Sequence, residues 1–372
     1  MLALQGLTPV SLSAHMAALT EAEARKIVAA VHRDEGIGSP ITGVRRGALE
    51  AVRLGGHVPE LARVGAQAST VDPFRKLVLA GADGRAFETV RIPLEKVGRF
   101  SVCVSSQVGC ALACAFCATG RLGLLRNLEV WEIVEQVREV RRTLEPGQRI
   151  SGVVFQGMGE PLANLDRVIA AIGVLTDPCA QPVDARAITV CTSGIPSGIL
   201  RLARELPRVR LGVSIGSAIA GDRRSLMPIE GAHSLDDVLD AAAVHTRASG
   251  YAPLWAVTLL HGRNDTPDHA RALGARAKSF QRETGLRPRI SIIPYNTIGE
   301  GDPFERSSNE REAAFRDALA AEGVFSHKRY SGGGDIAAAC GQLVALSERV
   351  KTKGNVRTGT GPGRGRGEGG GD

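Results

Sequence analysis

Three cysteines stand four and three residues apart in Cys110-Ala-Leu-Ala-Cys114-Ala-Phe-Cys117. Thiolates at that spacing can wrap one face of a compact inorganic centre and leave its fourth coordination position open. A structural zinc site takes four protein ligands, often as C-x-x-C pairs. A 4Fe–4S cluster held by three cysteines instead keeps one iron available to a substrate. The pattern points to that second case, against the plain alternative of unremarkable loop thiols.

Four further stretches could meet a ligand bound there. In Gly157-Met-Gly159-Glu160-Pro161 the glycines let backbone approach closely, and Glu160 can accept from an ammonium or from ribose hydroxyls. Cys191-Thr-Ser193-Gly194, Ser214-Ile215-Gly216 and Asn296 offer hydroxyl and amide groups, though each alone is ordinary turn chemistry. Among the other cysteines, Cys103 lies between Val102 and Val104, Cys340 follows Gly332-Gly-Gly334, and Cys179 reads as a loop thiol. A buried cysteine usually packs as a small hydrophobe. One on a glycine-hinged loop near a cluster can move and react as a thiolate.

The elements that position these groups follow from hydrophobic periodicity. Residues 1 to about 65 read as short helices: Thr20-Glu-Ala-Glu23 is a capping box opening a helix to His32, and Arg46 to Leu54 reads as another. Lys76–Ala80, Gly81-Ala-Asp-Gly84 and Phe87–Ile92 make a hairpin, with Glu88 on the face of Val90 and Ile92. Short apolar runs then alternate with helical patterns. The runs are Val102–Ser105, Ile150–Phe155, Ala187–Cys191, Arg210–Ile215, Leu254–Leu260 and Ile290–Pro294. The clearest helical stripe, Val130, Ile133, Val134, Val137 and Leu144, is entered through Asn127 with Glu129 and Glu132 in its first turn. Strands separated by helices imply a parallel sheet with right-handed crossovers. Such units suit a partial barrel with its functional groups at the strands' C-terminal ends, and the cysteine loop follows the first strand. A last apolar segment, Gly323–Tyr330, leads to Ser331-Gly-Gly-Gly-Asp335 and a helical pattern from Ile336 that carries Cys340.

At 372 residues the chain can bury one large α/β core and a small accessory domain. Seven cysteines without secretory features point to a reducing compartment, so we expect a cytoplasmic protein. No stretch reaches the roughly 18 uninterrupted apolar residues of a membrane span. A net charge of +7 favours a polyanionic partner, while aromatics at 4% argue against base-stacking platforms. Residues 351–372 hold nine glycines, five Lys or Arg and two acids, a composition that cannot bury enough apolar surface to order.

Taken together, Ser101-Val-Cys-Val-Ser-Ser-Gln-Val-Gly-Cys110, Cys114-Ala-Phe-Cys117, Arg126-Asn-Leu128, Gly157-Met-Gly-Glu-Pro-Leu162, Arg306-Ser-Ser-Asn309 and Gly334-Asp-Ile-Ala-Ala-Ala-Cys-Gly-Gln-Leu343 resemble the RlmN/Cfr family of radical S-adenosylmethionine (SAM) RNA methyltransferases. The resemblance runs from about Phe87 to Leu343. It implies a 4Fe–4S cluster on Cys110, Cys114 and Cys117, SAM contacts at Gly159, Glu160, Cys191, Ser214, Ile215, Gly216 and Asn296, and catalytic roles for Glu88, Cys103 and Cys340. In the implied mechanism one SAM methylates Cys340, and a second yields a 5′-deoxyadenosyl radical that takes hydrogen from the S-methyl group. The methylene radical then adds to an adenine carbon, Glu88 takes up a proton, and Cys103 attacks the sulfur of Cys340, leaving a disulfide. Two positions depart from the family. Ser214-Ile-Gly216 stands where Ser-Leu-His is common, and Cys191 where a Ser is usual.

The expectation is thus an α/β chain with a helical accessory domain (1–70), a β-hairpin extension (71–98), a partial (β/α)6 radical SAM barrel (99–345) and a disordered Gly/Arg-rich tail (346–372). Its expected activity is methylation of adenine carbon 2 or 8 in structured RNA, chiefly large-subunit ribosomal RNA, with transfer RNA as a further substrate. A reductant such as flavodoxin or ferredoxin, no membrane, and a monomeric state complete it. The competing readings are a radical SAM enzyme with a non-RNA substrate and a non-catalytic metal-binding RNA module.

Overall fold

The computed structural model describes residues 1–299 and 301–343; the expected Gly/Arg-rich tail lies outside the described residues. Its centre is a ten-stranded sheet in which spatial order repeats chain order. The strands are β1 (Ala62–Ala68), β2 (Arg75–Ala80), β3 (Ala86–Pro93), β4 (Arg99–Val104), β5 (Arg149–Phe155), β6 (Ile188–Thr192), β7 (Arg210–Ser214), β8 (Leu254–Leu259), β9 (Arg289–Pro294) and β10 (Ser326–Lys328). From β1 to β4 neighbours are antiparallel. From β4 to β10 all pairs are parallel.

Helices Val130–Arg141, Leu165–Thr176, Pro196–Glu205, Leu235–Ser249, Pro267–Thr284 and Asn309–Ala321 fill the crossovers. Their starts follow from local chemistry: Ser234 and Thr266 cap two of them through side-chain oxygens, and Pro196 and Pro267 stand at the first helical position, where a missing N–H costs no hydrogen bond. Strands covered on both faces are mostly apolar, as with Ile290, Ile292 and Ile293. Trp255 of β8, fully buried, meets Phe280 of the following helix edge-on at 5.3 Å.

Four local expectations need correction. Ala62–Ala68, inside the stretch expected to be helical, is strand β1, because its alternating exposure lets it pair along β2. Ser326–Lys328 adds a seventh parallel strand. The helix expected from Ile336 is a single 3-10 turn, Gly334–Ile336, flanked by left-handed backbone at Gly333 and Ala337 (φ 72° and 50°). Leu144 also falls beyond its helix, which ends at Arg141 with Val140 completing the buried stripe.

The N-terminal helices Pro9–His15, Glu21–His32 and Arg46–Gly55 form the accessory region. The Thr20 capping box is present, with Glu23 N–H donating to Thr20 Oγ1 at 3.2 Å and Thr20 N–H to Glu23 Oε2 at 3.0 Å. This region docks on helix Val130–Arg141 through buried Arg138, which donates to Val31 O at 2.8 Å and pairs with Glu135 at 2.6 Å and Asp34.

Candidate functional site

Register decides which side chains enter the barrel. Cys103, Val154, Thr189 and Arg210 form one row across β4–β7. Two residues on, Gln156 and Cys191 point to the same side. The cysteine loop leaves β4 at the C-terminal end of this interior face. Gly109, with φ 78°, turns the chain so tightly that a Cβ there would stand 1.8 Å from Gly123 O. Cys110 N–H donates to Gly123 O at 3.0 Å, Cys117 N–H to Cys114 O at 3.1 Å, and Ala115 N–H to Leu226 O at 2.9 Å. Ala113 takes left-handed backbone, φ 51°, rare for a residue with a Cβ.

The donor set fits a 4Fe–4S cluster. All seven cysteines are thiols, and Cys110, Cys114 and Cys117 lie near enough to act on one another electrostatically. Burial, with the neighbouring sulfurs adding to it, pushes Cys114 up to about 12; burial takes Cys110 to about 11 and raises Cys117. Such thiols stay protonated until a metal centre provides the compensating charge. Soft thiolates are the ligands iron–sulfur centres select.

Cys114 and Cys117 line a cavity of about 200 Å3 that also receives Cys103, Cys340, Ser214 and Gly216. The segment carrying Cys340 lies over it. On one side this segment is tied to the cysteine loop: Ala118 N–H donates to Gly341 O at 2.8 Å and Thr119 Oγ1–H to Leu343 O at 3.0 Å. On the other it is tied to the hairpin region. Gly333 N–H and Tyr330 O–H donate to Asp72 Oδ2 at 2.9 and 3.0 Å, Thr70 N–H donates to Asp335 Oδ2 at 2.9 Å, and Lys76 Nζ donates to Ala337 O at 2.9 Å.

Two residues that sequence reasoning missed sit beneath it. Lys76 forms a fully buried ion pair with Glu88, Nζ to Oε1 3.2 Å, and so links Glu88 to the Cys340 segment. Neither lines the cavity. Arg329, just beyond β10, reaches across the interior and donates from Nη1 to Gln156 Oε1 at 2.9 Å. The sulfurs beside it, Cys340 foremost and then Cys191 and Cys103, hold its guanidinium above the usual arginine range against burial. Burial pushes Cys103 up to about 12, Cys340 adding to this and Arg329 opposing it. The available signal was an arginine closing an apolar segment; periodicity could not say that it turns inward.

The expected SAM contacts divide. Ser214 and Gly216 border the cavity, whereas Gly159, Glu160, Cys191, Ile215 and Asn296 do not. Glu160 is buried, and its carboxylate already accepts from Leu162 N–H at 3.1 Å and Ser193 N–H at 2.9 Å, while burial raises its pKa. It therefore holds the β5 and β6 loops together. Asn296 donates to Ser331 Oγ at 2.7 Å, and buried Arg223 donates to Ile215 O at 3.0 Å and Ser193 O at 2.8 Å while pairing with Glu230. Arg223 is a third residue missed in sequence. Gly216 has its own logic: at φ 68° a Cβ would meet Met227 Sδ at 2.5 Å. Met227 thus occupies the space a larger residue would need. Cys191 packs against Gly212, where a Cβ would stand 2.8 Å from its sulfur.

A three-cysteine loop following the first parallel strand, with a partial barrel behind it, marks a radical SAM enzyme, and residues 104–269 match the Radical SAM superfamily. The whole chain narrows this further. It is 55% identical over 358 residues to a probable RNA methyltransferase of Sorangium cellulosum, covering 90% of each chain. It is 40% identical over 274 residues to a dual-specificity RNA methyltransferase RlmN of Syntrophobacter fumaroxidans, covering 74% of this chain and 77% of that one. A solved radical SAM methyltransferase from Sphaerobacter thermophilus superposes with a TM-score of 0.83 at 33% identity, covering 93% of this chain and 100% of that one. The chain belongs to the RlmN/Cfr family of radical SAM RNA methyltransferases, enzymes that use a three-cysteine 4Fe–4S cluster and SAM.

Proposed function

We propose that this enzyme methylates carbon 2 or 8 of an adenosine in structured RNA, chiefly large-subunit ribosomal RNA, with transfer RNA as a further substrate, through an S-methylcysteine at Cys340. The observation that carries this reading is the single cavity shared by Cys340, Cys103 and two of the three cysteines of the cluster loop. Adenine carbons 2 and 8 are not nucleophilic, so direct alkylation fails there and a covalent carrier is needed. When bound, the cluster and SAM supply a methyl group and a hydrogen-abstracting carbon radical. Cys340 accepts the methyl on sulfur, carries it across the cavity and joins it to the base. The radical adduct then gives up its odd electron, which a bound cluster would accept, and a proton, which Glu88 holds with Lys76 as its counter-charge. Cys103 attacks the sulfur of Cys340; the new S–S bond replaces the S–C bond, whose electron pair leaves with the product carbon and is protonated. Arg329 supports this by offering positive charge to whichever thiolate is forming.

In this reading Cys110, Cys114 and Cys117 hold the cluster. Gly159, Glu160, Cys191, Ser214, Ile215, Gly216 and Asn296 shape the SAM pocket, several of them from behind its wall. A reductant of the flavodoxin or ferredoxin type reopens the Cys103–Cys340 disulfide and primes the cluster. The protein works as a monomer in the cytoplasm. Among the described residues no helix is long and apolar enough to cross a membrane. Nucleoside mass spectrometry of ribosomal and transfer RNA should find a methyladenosine in cells with the gene that is missing from cells without it. Unchanged nucleosides in both RNA pools would overturn the assignment.

A further inference from the structure

A second cavity, of about 430 Å3, opens at the other end of the barrel, among the first residues of the strands. Barrel interiors are ordinarily filled there by layers of Val, Ile and Leu. Here the row carries Ser101 of β4, Thr189 of β6, Arg210 opening β7, Arg289 opening β9 with Ser291 two residues on, and His327 in β10. Small hydroxyl residues leave the space, and the arginines set its charge.

The wall combines three independent features. No Asp or Glu lines the cavity, and neither Arg210 nor Arg289 has an ion-pair partner among the described residues. The Ser291 hydroxyl, 1% exposed, has no hydrogen-bond partner, a state that ordinarily costs about 1–3 kcal/mol. Arg329 forms the roof with Gln156, the same pair that floors the upper cavity. His327 lies below its ordinary pKa through burial and through Arg289 and Arg329, so the local field is positive before anything binds.

Three guanidiniums without a carboxylate call for an anion of more than one charge, which favours a phosphate over a simple carboxylic acid. The volume lies within the roughly 300–1,000 Å3 of small-molecule sites, larger than one phosphate fills. The remaining wall is apolar, with Ile92, Leu211, Leu254 and the Tyr251 ring. We propose that the N-terminal mouth of the barrel is a binding site for a small phosphate-bearing molecule with a ring portion, of nucleotide type, held by Arg210, Arg289, Arg329 and Ser291. The site is separate from the cluster chemistry and stands whether or not the RNA reading holds. An occupant would share Arg329 with the thiols above it, so its binding would be felt in the upper cavity.

Isothermal titration of the full-length protein with pyrophosphate and, separately, with metal-free ATP tests this near physiological salt. One site per chain is expected. Affinity should fall about tenfold or more in Arg210→Gln/Arg289→Gln, whose side chains stand at exposed strand starts, and in Ser291→Leu, which fills the cavity. Arg46→Gln/Arg53→Gln, which removes the same charge from a distant helix, should leave binding unchanged. ATP binding tighter than pyrophosphate would assign the apolar wall to the base, and equal binding would assign recognition to phosphate; either upholds the site. Absence of binding by both probes overturns the proposal. So does binding that the Arg210/Arg289 pair leaves intact, or that the control pair weakens equally.

Discussion

Cys340→Ala and Cys103→Ala should fail at different steps, because the proposed chemistry gives the two sulfurs different duties. Without Cys340 the methyl group has no acceptor, so cluster and SAM binding should persist while neither protein nor RNA is methylated. Without Cys103 the adduct should form and stay. A protein band bound to RNA through Cys340, dependent on SAM and reductant and lost on ribonuclease treatment, is the expected signature. Normal turnover by Cys103→Ala would remove the two-cysteine scheme. Ordinary packing cysteines would show neither block, only a modest loss of stability. Gly216 allows a test of a different kind. Gly216→Ala forces a Cβ onto Met227 Sδ in left-handed backbone and should cost on the order of 1–3 kcal/mol by denaturant unfolding. In a Met227→Ala background the same substitution should cost less, because the clashing side chain is gone; an equal cost in both backgrounds would show that Met227 is not what stands in the way. The three-cysteine spacing was legible because cluster ligation is local. Glu160 was only half legible: G-x-G-E marks a special turn, yet the groups that occupy its carboxylate come from residues 162 and 193. Lys76 and Arg329 were not legible, since each stands beside another basic residue, Arg75 and Lys328, and sequence alone does not say which of two neighbouring charges turns inward.

Among elements, the segment from Tyr330 to Leu343 lies over the upper cavity, whose volume of about 200 Å3 is below the usual small-molecule range, and it is expected to lift when ligands enter. Asp72 takes hydrogen bonds from both Gly333 and Tyr330. At roughly 0.5–1.5 kcal/mol each, their loss in Asp72→Ala should raise the open population by about fivefold to 150-fold. In cluster-free protein, alkylation of Cys340 by iodoacetamide, followed by mass spectrometry, should accelerate accordingly. An unchanged rate would mean that the segment is held elsewhere. The parallel strands were readable as apolar runs between helical patterns. The Cys340 segment was misread as helix because Ile336-Ala-Ala-Ala-Cys340 has good helical propensity. Its backbone carbonyls are instead claimed by Lys76, Ala118 and Thr119, all distant in sequence. Tertiary partners overrode propensity. The apolar stripe of helix Val130–Arg141 was likewise visible, but not that its polar face would be buried under the N-terminal helices.

For the whole molecule, that N-terminal contact carries a pH dependence. His32 is held near a pKa of about 3 by burial, with Arg138 and Arg141 adding to it. The unfolded chain therefore takes up a proton near pH 6.5 that the folded chain refuses until about pH 3. Its contribution is complete above pH 6.5 and is lost as pH falls through that window. Thermal unfolding midpoints should decline from pH 7 to pH 4, and His32→Gln should flatten the decline. An equally steep fall in the variant would assign the effect to other groups, His245 among them, whose burial holds it at about 4.

The contacts that close the Cys340 segment also join residues 261 and 265 positions apart, Lys76 to Ala337 and Thr70 to Asp335. During synthesis at about 5–20 residues per second, the cysteine loop emerges well before its cover. A nascent chain thus spends on the order of ten seconds or more with its three ligand cysteines made and the segment that covers them not yet made. The cover is thus the last part of the site to be made, and it is held by partners synthesised 261 and 265 residues earlier.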